Sequence, residues 1–239
     1  MTPILSKQRD GGDLWSWIDH QLAHPKGVAG RLLGHIMVPL NRAPNERAVA
    51  ALAPQAGEAI LEVGFGPGQA LGSILAAAPG CRLHGIDRSA EMVDQARRRN
   101  MRAGGTMDLR VGSLFDLPWP DASFDKILAV NVAYFFDQEG VAARELHRVL
   151  RPGGRLVLYV TDSDTMKRWR LAGPETHRLY GEADLEAMLA AAGFAPENIR
   201  LTPVALPLKM RGWMATAERS RMPTVMTTDP AEPKASASW

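Results

Sequence analysis

Three glycines at alternate positions, Gly64, Gly66 and Gly68, separate an apolar run (Ile60-Leu61-Glu62-Val63) from a stretch that can wind into a helix from Gln69. Glycine at this spacing permits a sharp turn and lets a ligand approach the backbone closely. The free N–H groups and the dipole at the start of the following helix favour an anionic group. A dinucleotide-binding fingerprint would carry its third glycine at position 69; that residue is Gln69, and the spacing is G-x-G-x-G instead. Asp87 closes a second short run, Leu83-His84-Gly85-Ile86. A carboxylate at a strand end can accept hydrogen bonds from two neighbouring hydroxyls, as on a ribose. It can equally serve as a turn or cap carboxylate, because Ser89 and Ala90 open a helix. The one cysteine, Cys81, excludes an internal disulfide framework and an iron–sulfur cluster.

These residues need elements to hold them. From residue 57 to 218, short β-rich runs alternate with helical runs, the pattern of a parallel sheet covered on both faces. Strands are expected at Ala59 to Val63, Arg82 to Asp87, Asp108 to Val111, Asp125 to Val130, Arg155 to Val160, Ile199 to Val204 and Trp213 to Ala217. Helices are expected at Gln69 to Ala78, Ala90 to Asn100, Gln138 to Leu150 and Glu182 to Ala192. Arg97-Arg98-Arg99 reads as the solvated last turn of its helix, where cations suit the dipole. No crossover helix fits between the last two strands, so that pair is antiparallel. The fold is therefore an α/β, Rossmann-like, seven-stranded and mostly parallel sheet with helices on both faces, its last strand antiparallel. An N-terminal extension over residues 1–55 has helical patterning broken at Pro25, Gly27, Pro39 and Pro44. The core runs over 56–218. Residues 219–239, with three prolines and little apolar pattern, read as a disordered tail.

With 239 residues, 46% hydrophobic and 23% charged, the composition is that of one globular α/β domain. A net charge of +2 gives no basic stripe for nucleic acid. The sequence has neither a signal peptide nor an apolar span of membrane length, and the cytoplasm is the expected compartment.

Taken in order, Ile60–Gly68, Leu83–Met92, Leu109–Pro118, Phe124–Phe136 and Leu146–Leu156 resemble the motifs of class I S-adenosylmethionine-dependent methyltransferases, nearest the ubiquinone/menaquinone-biosynthesis type. The resemblance covers residues 57–160. It implies S-adenosylmethionine as cofactor, S-adenosylhomocysteine as product and no metal. Gly64, Phe65, Gly66 and Gly68 would lie against the methionyl part and ribose, Glu62 would approach the methionyl amine, and Asp87 would hold the ribose hydroxyls. Arg88 and Met92 fall where family members pack on the adenine. In the segment Gly112-Ser113-Leu114, Ser113 stands where many members have an acidic residue on the adenine amino group, a departure that leaves a weaker, uncharged acceptor, while the Leu114 N–H can serve the ring. The Asn131 carbonyl would receive the methionyl amine. Tyr134 is the leading polar candidate near the methyl, as catalytic group or as aromatic pocket wall.

The acceptor must be recognised outside this common core. The candidates are the N-terminal helices, with His35, Met37 and Asn41, and the segment 163–180, with Trp169 and His177. Their aromatic and methionine content suggests an apolar or aromatic small molecule, with a monomer or homodimer and no nucleic-acid partner. A nicotinamide-dependent oxidoreductase and methylation of a macromolecule are the competing readings.

Overall fold

The computed structural model describes residues 42–101, 106–168, 178–206 and 209–221. A helix over residues 42–52 (α1) leads into the sheet. Then follow β1 (Ala59–Val63), α2 (Gln69–Ala77), β2 (Arg82–Asp87), α3 (Ala90–Asn100), β3 (Met107–Val111) and β4 (Phe124–Val130). A 3-10 turn, Ala133–Phe135, precedes α4 (Val141–Val149) and β5 (Leu150–Thr161). The chain closes with α5 (Ser163–Arg168), α6 (Glu182–Ala191), a second 3-10 turn (Pro196–Asn198), β6 (Ile199–Ala205) and β7 (Arg211–Glu218).

The seven strands form one sheet in the order β3-β2-β1-β4-β5-β7-β6. All neighbours are parallel except β7, which runs antiparallel to both β5 and β6. The antiparallel final pair follows from the absence of a crossover helix between those strands. All five residues of β1 are buried, as expected of a central parallel strand covered on both faces. One apolar cluster gathers Leu61, Val63, Ile127, Ala129 and Leu158 under α4 and α6. The other gathers Ile60, Leu83, Leu128, Val157 and Tyr159 under α1, α2 and α3. Strand order reverses between β1 and β4, so the crevice beyond their carboxyl ends is where an open α/β sheet binds ligands.

Several boundaries differ from expectation for local reasons. Pro44 does not break the chain; it lies inside α1, near its start, and proline is tolerated in a first turn because its missing N–H has no intrahelical partner there. Helix α4 starts at Val141 rather than Gln138 because the Asp137 carboxylate accepts from the Val141 and Ala142 N–H groups at 2.8 and 3.0 Å. Strand β5 starts at Leu150, through the expected turn at Pro152-Gly153-Gly154. Phe124 pairs with Leu150, the register then shifts, and Lys126 pairs with Arg155, so the extra residues form an irregularity within the strand. Arg219, first residue of the segment read as a tail, bonds through its backbone to Gly153 and Gly154. Its guanidinium donates to the carbonyls of His147, Arg148 and Leu150 at the end of α4. Residues 222–239 lie outside the described residues. Arg97, Arg98 and Arg99 occupy the last turn of α3, as expected.

Candidate functional site

The site assembles at the carboxyl ends of β1, β2 and β4. Gly64, Gly66 and Gly68 all have positive φ (62°, 53° and 77°), so the glycine turn uses the conformation L side chains disfavour. The Gly64 N–H donates to the Ile86 carbonyl at 2.8 Å, tying the turn to β2. A Cβ at Gly64 would stand 2.4 Å from Val132 Cγ2, so the close approach there is to the chain beyond β4. A Cβ at Gly68 would meet Ala96 at 2.7 Å, and Asn100 Nδ2 donates to the Gly68 carbonyl at 2.9 Å. The third glycine thus seats α2 against α3. Gly66 differs: nothing lies within 4 Å of where its Cβ would be. Open space faces the middle of the turn.

Asp87 is 8% exposed, with one oxygen accepting from the Gly66 N–H and the other from the Ser89 N–H, both at 2.9 Å. It braces the turn at the head of α3, and each oxygen retains a lone pair for a further donor. Burial pushes its carboxyl above the usual carboxylate range, opposed by the two N–H bonds and Arg88. Glu62 is 3% exposed, and its Oε2 has no hydrogen-bond partner. Burial, reinforced by the charge of Asp87, pushes its carboxyl well above the usual range.

The remaining candidates divide. Phe65 packs its ring over Gly85, where a Cβ would come within 2.7 Å of it, so its side chain belongs to the core and only its backbone borders the turn. Arg88 is exposed. Met92 is buried yet belongs to neither apolar cluster. The Gly112 N–H donates to the Asp87 carbonyl at 3.0 Å, bringing Ser113 and Leu114 beside the end of β2. Ser113 Oγ accepts from the Phe115 N–H at 3.1 Å, holding its own loop. Asn131 takes φ 54° at the end of β4, while its N–H donates to the Tyr159 carbonyl at 2.8 Å. A left-handed non-glycine residue at a strand end is a conformation that functional sites retain.

Tyr134, the candidate for catalytic group or pocket wall, lies in the 3-10 turn after β4. It is 6% exposed, accepts from the Thr161 N–H and contacts Asn131 Oδ1 at 3.0 Å, and burial raises its hydroxyl above the usual tyrosine range. A phenol held this way braces the ends of β4 and β5 and is a poor base. His35, Met37, Asn41, Trp169 and His177 lie outside the described residues. The flanks of their segments do reach this pole. Asn45 Nδ2, on α1, donates to Gln69 Oε1 at 3.3 Å, and Arg47 donates to the Ala205 carbonyl at the end of β6. The Arg178 N–H donates to the Tyr134 carbonyl, and the Tyr180 hydroxyl to that of Ala133. Asn45 and Val132 carried no signal in the sequence, and Gln69 only its departure from glycine, since their contacts here join distant elements.

A cavity of about 310 Å³ opens at the opposite pole. Its charges pair among themselves, Lys126 with Glu58, Arg151 with Asp125 and Arg155 with Glu218, and they knit the starts of the parallel strands to the end of β7. Among the described residues no group of three His, Cys, Asp or Glu could hold a metal, and no helix is long and apolar enough to cross a membrane.

The arrangement is that of an α/β nucleotide-cofactor site at a topological switch point, and comparison with known proteins gives the class. A family model described as a methyltransferase domain matches residues 61–158. The uncharacterized methyltransferase YdaC of Bacillus subtilis is 31% identical over 169 residues, which are 71% of this chain and 89% of that protein. The ubiquinone/menaquinone biosynthesis C-methyltransferase UbiE of Rubrivivax gelatinosus is 36% identical over 118 residues, covering 49% of this chain and 45% of that protein. Among solved structures, the methyltransferase partner of the Haloferax volcanii Trm112 activator superposes with a TM-score of 0.69 at 20% identity, over 85% of this chain and 98% of that one. The chain belongs to the class I S-adenosylmethionine-dependent methyltransferases. This assignment displaces the nicotinamide reading, in line with the G-x-G-x-G spacing.

The residues present fit that cofactor: an open cradle at Gly66, a buried carboxylate beside it, and a second buried carboxyl with an unpartnered oxygen at the end of β1.

Proposed function

We propose that this methyltransferase acts on a small apolar or aromatic molecule, presented at the carboxyl pole of the sheet. The observation that carries the cofactor placement is the open space at Gly66 beside Asp87, and the acceptor class is read from the aromatic and methionine content outside the common core. When bound there, S-adenosylmethionine supplies a methyl group on a strongly electrophilic sulfonium. The protein's work is then positional. The glycine turn admits the methionyl and ribose parts, Asp87 accepts from the ribose hydroxyls, and Glu62 and the Asn131 carbonyl face the methionyl amine. Ser113 and the Leu114 N–H border the adenine, with Arg88 and Met92 on its other side. Holding donor and acceptor in line and excluding water can contribute several kcal/mol to barrier lowering. Tyr134 keeps the β4 and β5 ends in place and takes no proton.

Residues 1–55 serve in this reading as a lid and acceptor-binding extension to the core at 56–218, with His35, Met37 and Asn41 on one side and Trp169 and His177 on the other. In support, α1 begins at the cofactor pole, where Asn45 and Arg47 are anchored, and Arg178 and Tyr180 bond to the turn after β4. The test is transfer of labelled methyl from S-adenosylmethionine to a panel of phenols, quinols, fatty acids and amines, beside a panel of RNA and proteins. Turnover of an apolar or aromatic small molecule is expected. Labelling confined to macromolecules would overturn the acceptor assignment.

A further inference from the structure

Glu62 occupies an unusual place for a carboxyl. In the sheet register it pairs with Gly85 on β2, and on β4 with Leu128. Paired residues of parallel strands share a face, so Glu62 looks into the cluster of Ile60, Leu83, Leu128 and Leu71. Lys126 is two residues earlier on β4, but its ammonium is held at the opposite pole by Glu58 and the Ala53 carbonyl. The buried residues of α2 are Ala70, Leu71, Ile74 and Leu75, none ionisable. From α1, Asn45 donates to Gln69 and Arg47 turns to Ala205. The charged group that does bear on Glu62 is another carboxylate, Asp87, on the same face and one two-residue step further along β2. Burial raises the Asp87 carboxyl too, but two N–H bonds and Arg88 oppose the rise, whereas Glu62 has an oxygen with no partner.

We infer that Glu62 is protonated in the cofactor-free protein and releases its proton to solvent when the cationic cofactor binds, so that cofactor capture is coupled to pH. The inference rests on the cofactor placement proposed above. A buried carboxyl next to a like charge holds its proton. An ammonium brought within reach supplies the missing counter-charge, and the neutral acid then ionises. The directions agree, since burial and Asp87 both raise the Glu62 carboxyl.

The experiment is calorimetric titration of the full chain with S-adenosylmethionine between pH 5.5 and 7.5, in buffers of low and high ionisation enthalpy. The slope and proton count are read below about pH 7, where the ligand's own ammonium stays charged, an α-amino group titrating at about 8. The expected result is release approaching one proton per site, with affinity rising up to about tenfold per pH unit where Glu62 holds its proton in the free protein. Glu62→Gln is expected to abolish the buffer dependence and flatten the pH slope, while Glu62→Asp keeps both. Binding heat that is the same in all buffers, with affinity flat across the range, overturns the coupling in the wild-type protein alone, even if a variant does not fold. Persistence of the slope in Glu62→Gln overturns the assignment to Glu62. Absence of binding at every pH overturns instead the cofactor placement.

Discussion

Gly64 and Gly66 both have positive φ, yet they face different surroundings, and a pair of alanine substitutions separates folding from binding. At Gly64, alanine incurs the left-handed backbone cost of roughly 1–2 kcal/mol. It also drives a methyl to 2.4 Å from Val132 Cγ2, an overpacking of roughly 1–3 kcal/mol. The sum, about 2–5 kcal/mol, corresponds to a fall in Tm of roughly 4–20 °C for a chain of this size. At Gly66 only the backbone cost applies, because no atom lies within 4 Å of the new methyl, and Tm falls by roughly 2–8 °C. The methyl at Gly66 instead occupies the proposed cofactor space, so Gly66→Ala is expected to weaken S-adenosylmethionine binding at least tenfold. Adding Val132→Ala to Gly64→Ala should recover the overpacking part and leave the backbone part, a coupling that a double-mutant cycle reads directly. Calorimetry for Tm and titration for affinity complete the assay. Wild-type affinity in Gly66→Ala, or no rescue by Val132→Ala, would contradict this division between the two glycines.

Asp87→Ala is expected to weaken cofactor binding more than Ser113→Ala, by roughly 1.5–3 kcal/mol for each charge-assisted bond lost against about 1 for a neutral hydroxyl; equal losses in titration would contradict the assignment. Tyr134→Phe leaves the buried Thr161 N–H without its acceptor and should cost about 1–3 kcal/mol of stability, while the pH profile of kcat stays unmoved; loss of the basic limb of that profile would restore a proton-transfer role. Without cofactor, the unfolded chain gives up the Glu62 proton near the usual carboxylate range and the folded chain keeps it to higher pH. Stability therefore falls as pH rises through that window, by about 1.4 kcal/mol per unit at most, and Glu62→Gln should remove this share of the decline in a melt series. Deletion of residues 1–40 is expected to leave a folded chain that binds cofactor and transfers methyl at least tenfold more slowly; transfer at the full-length rate would end the lid proposal.

The sheet and the glycine turn were legible because each rests on local pattern. Apolar runs at β1, β2 and β4 fill both faces of a parallel sheet, and Ser89 followed by Ala90 marks the start of α3, where Ser89 Oγ accepts from the Met92 N–H. Asp87 was legible by type and place, and its two N–H bonds bear out the reading as a turn brace. What stayed hidden depends on partners far along the chain. Nothing near Val132 says that it faces Gly64, and nothing near Gly68 says that its missing Cβ accommodates Ala96. The irregular start of β5 reads as a loop because proline and glycine mark turns; pairing with Phe124 and bonds from Arg219 override them. Tyr134 shows how a bond between distant residues changes the reading of a side chain. It lies at the correct strand end, but its hydroxyl is spent on the Thr161 backbone.

The position of β7 also bears on how the molecule is made. Because it lies between β5 and β6, neither of those strands can reach its final neighbour until residues 211–218 have left the ribosome. Without those residues β5 has an open, apolar edge at Leu156, Val157 and Leu158. Such an edge is a template for strand pairing with another chain. A chain that stops before residue 211 would therefore present β5 as a surface for pairing rather than as the interior of the sheet.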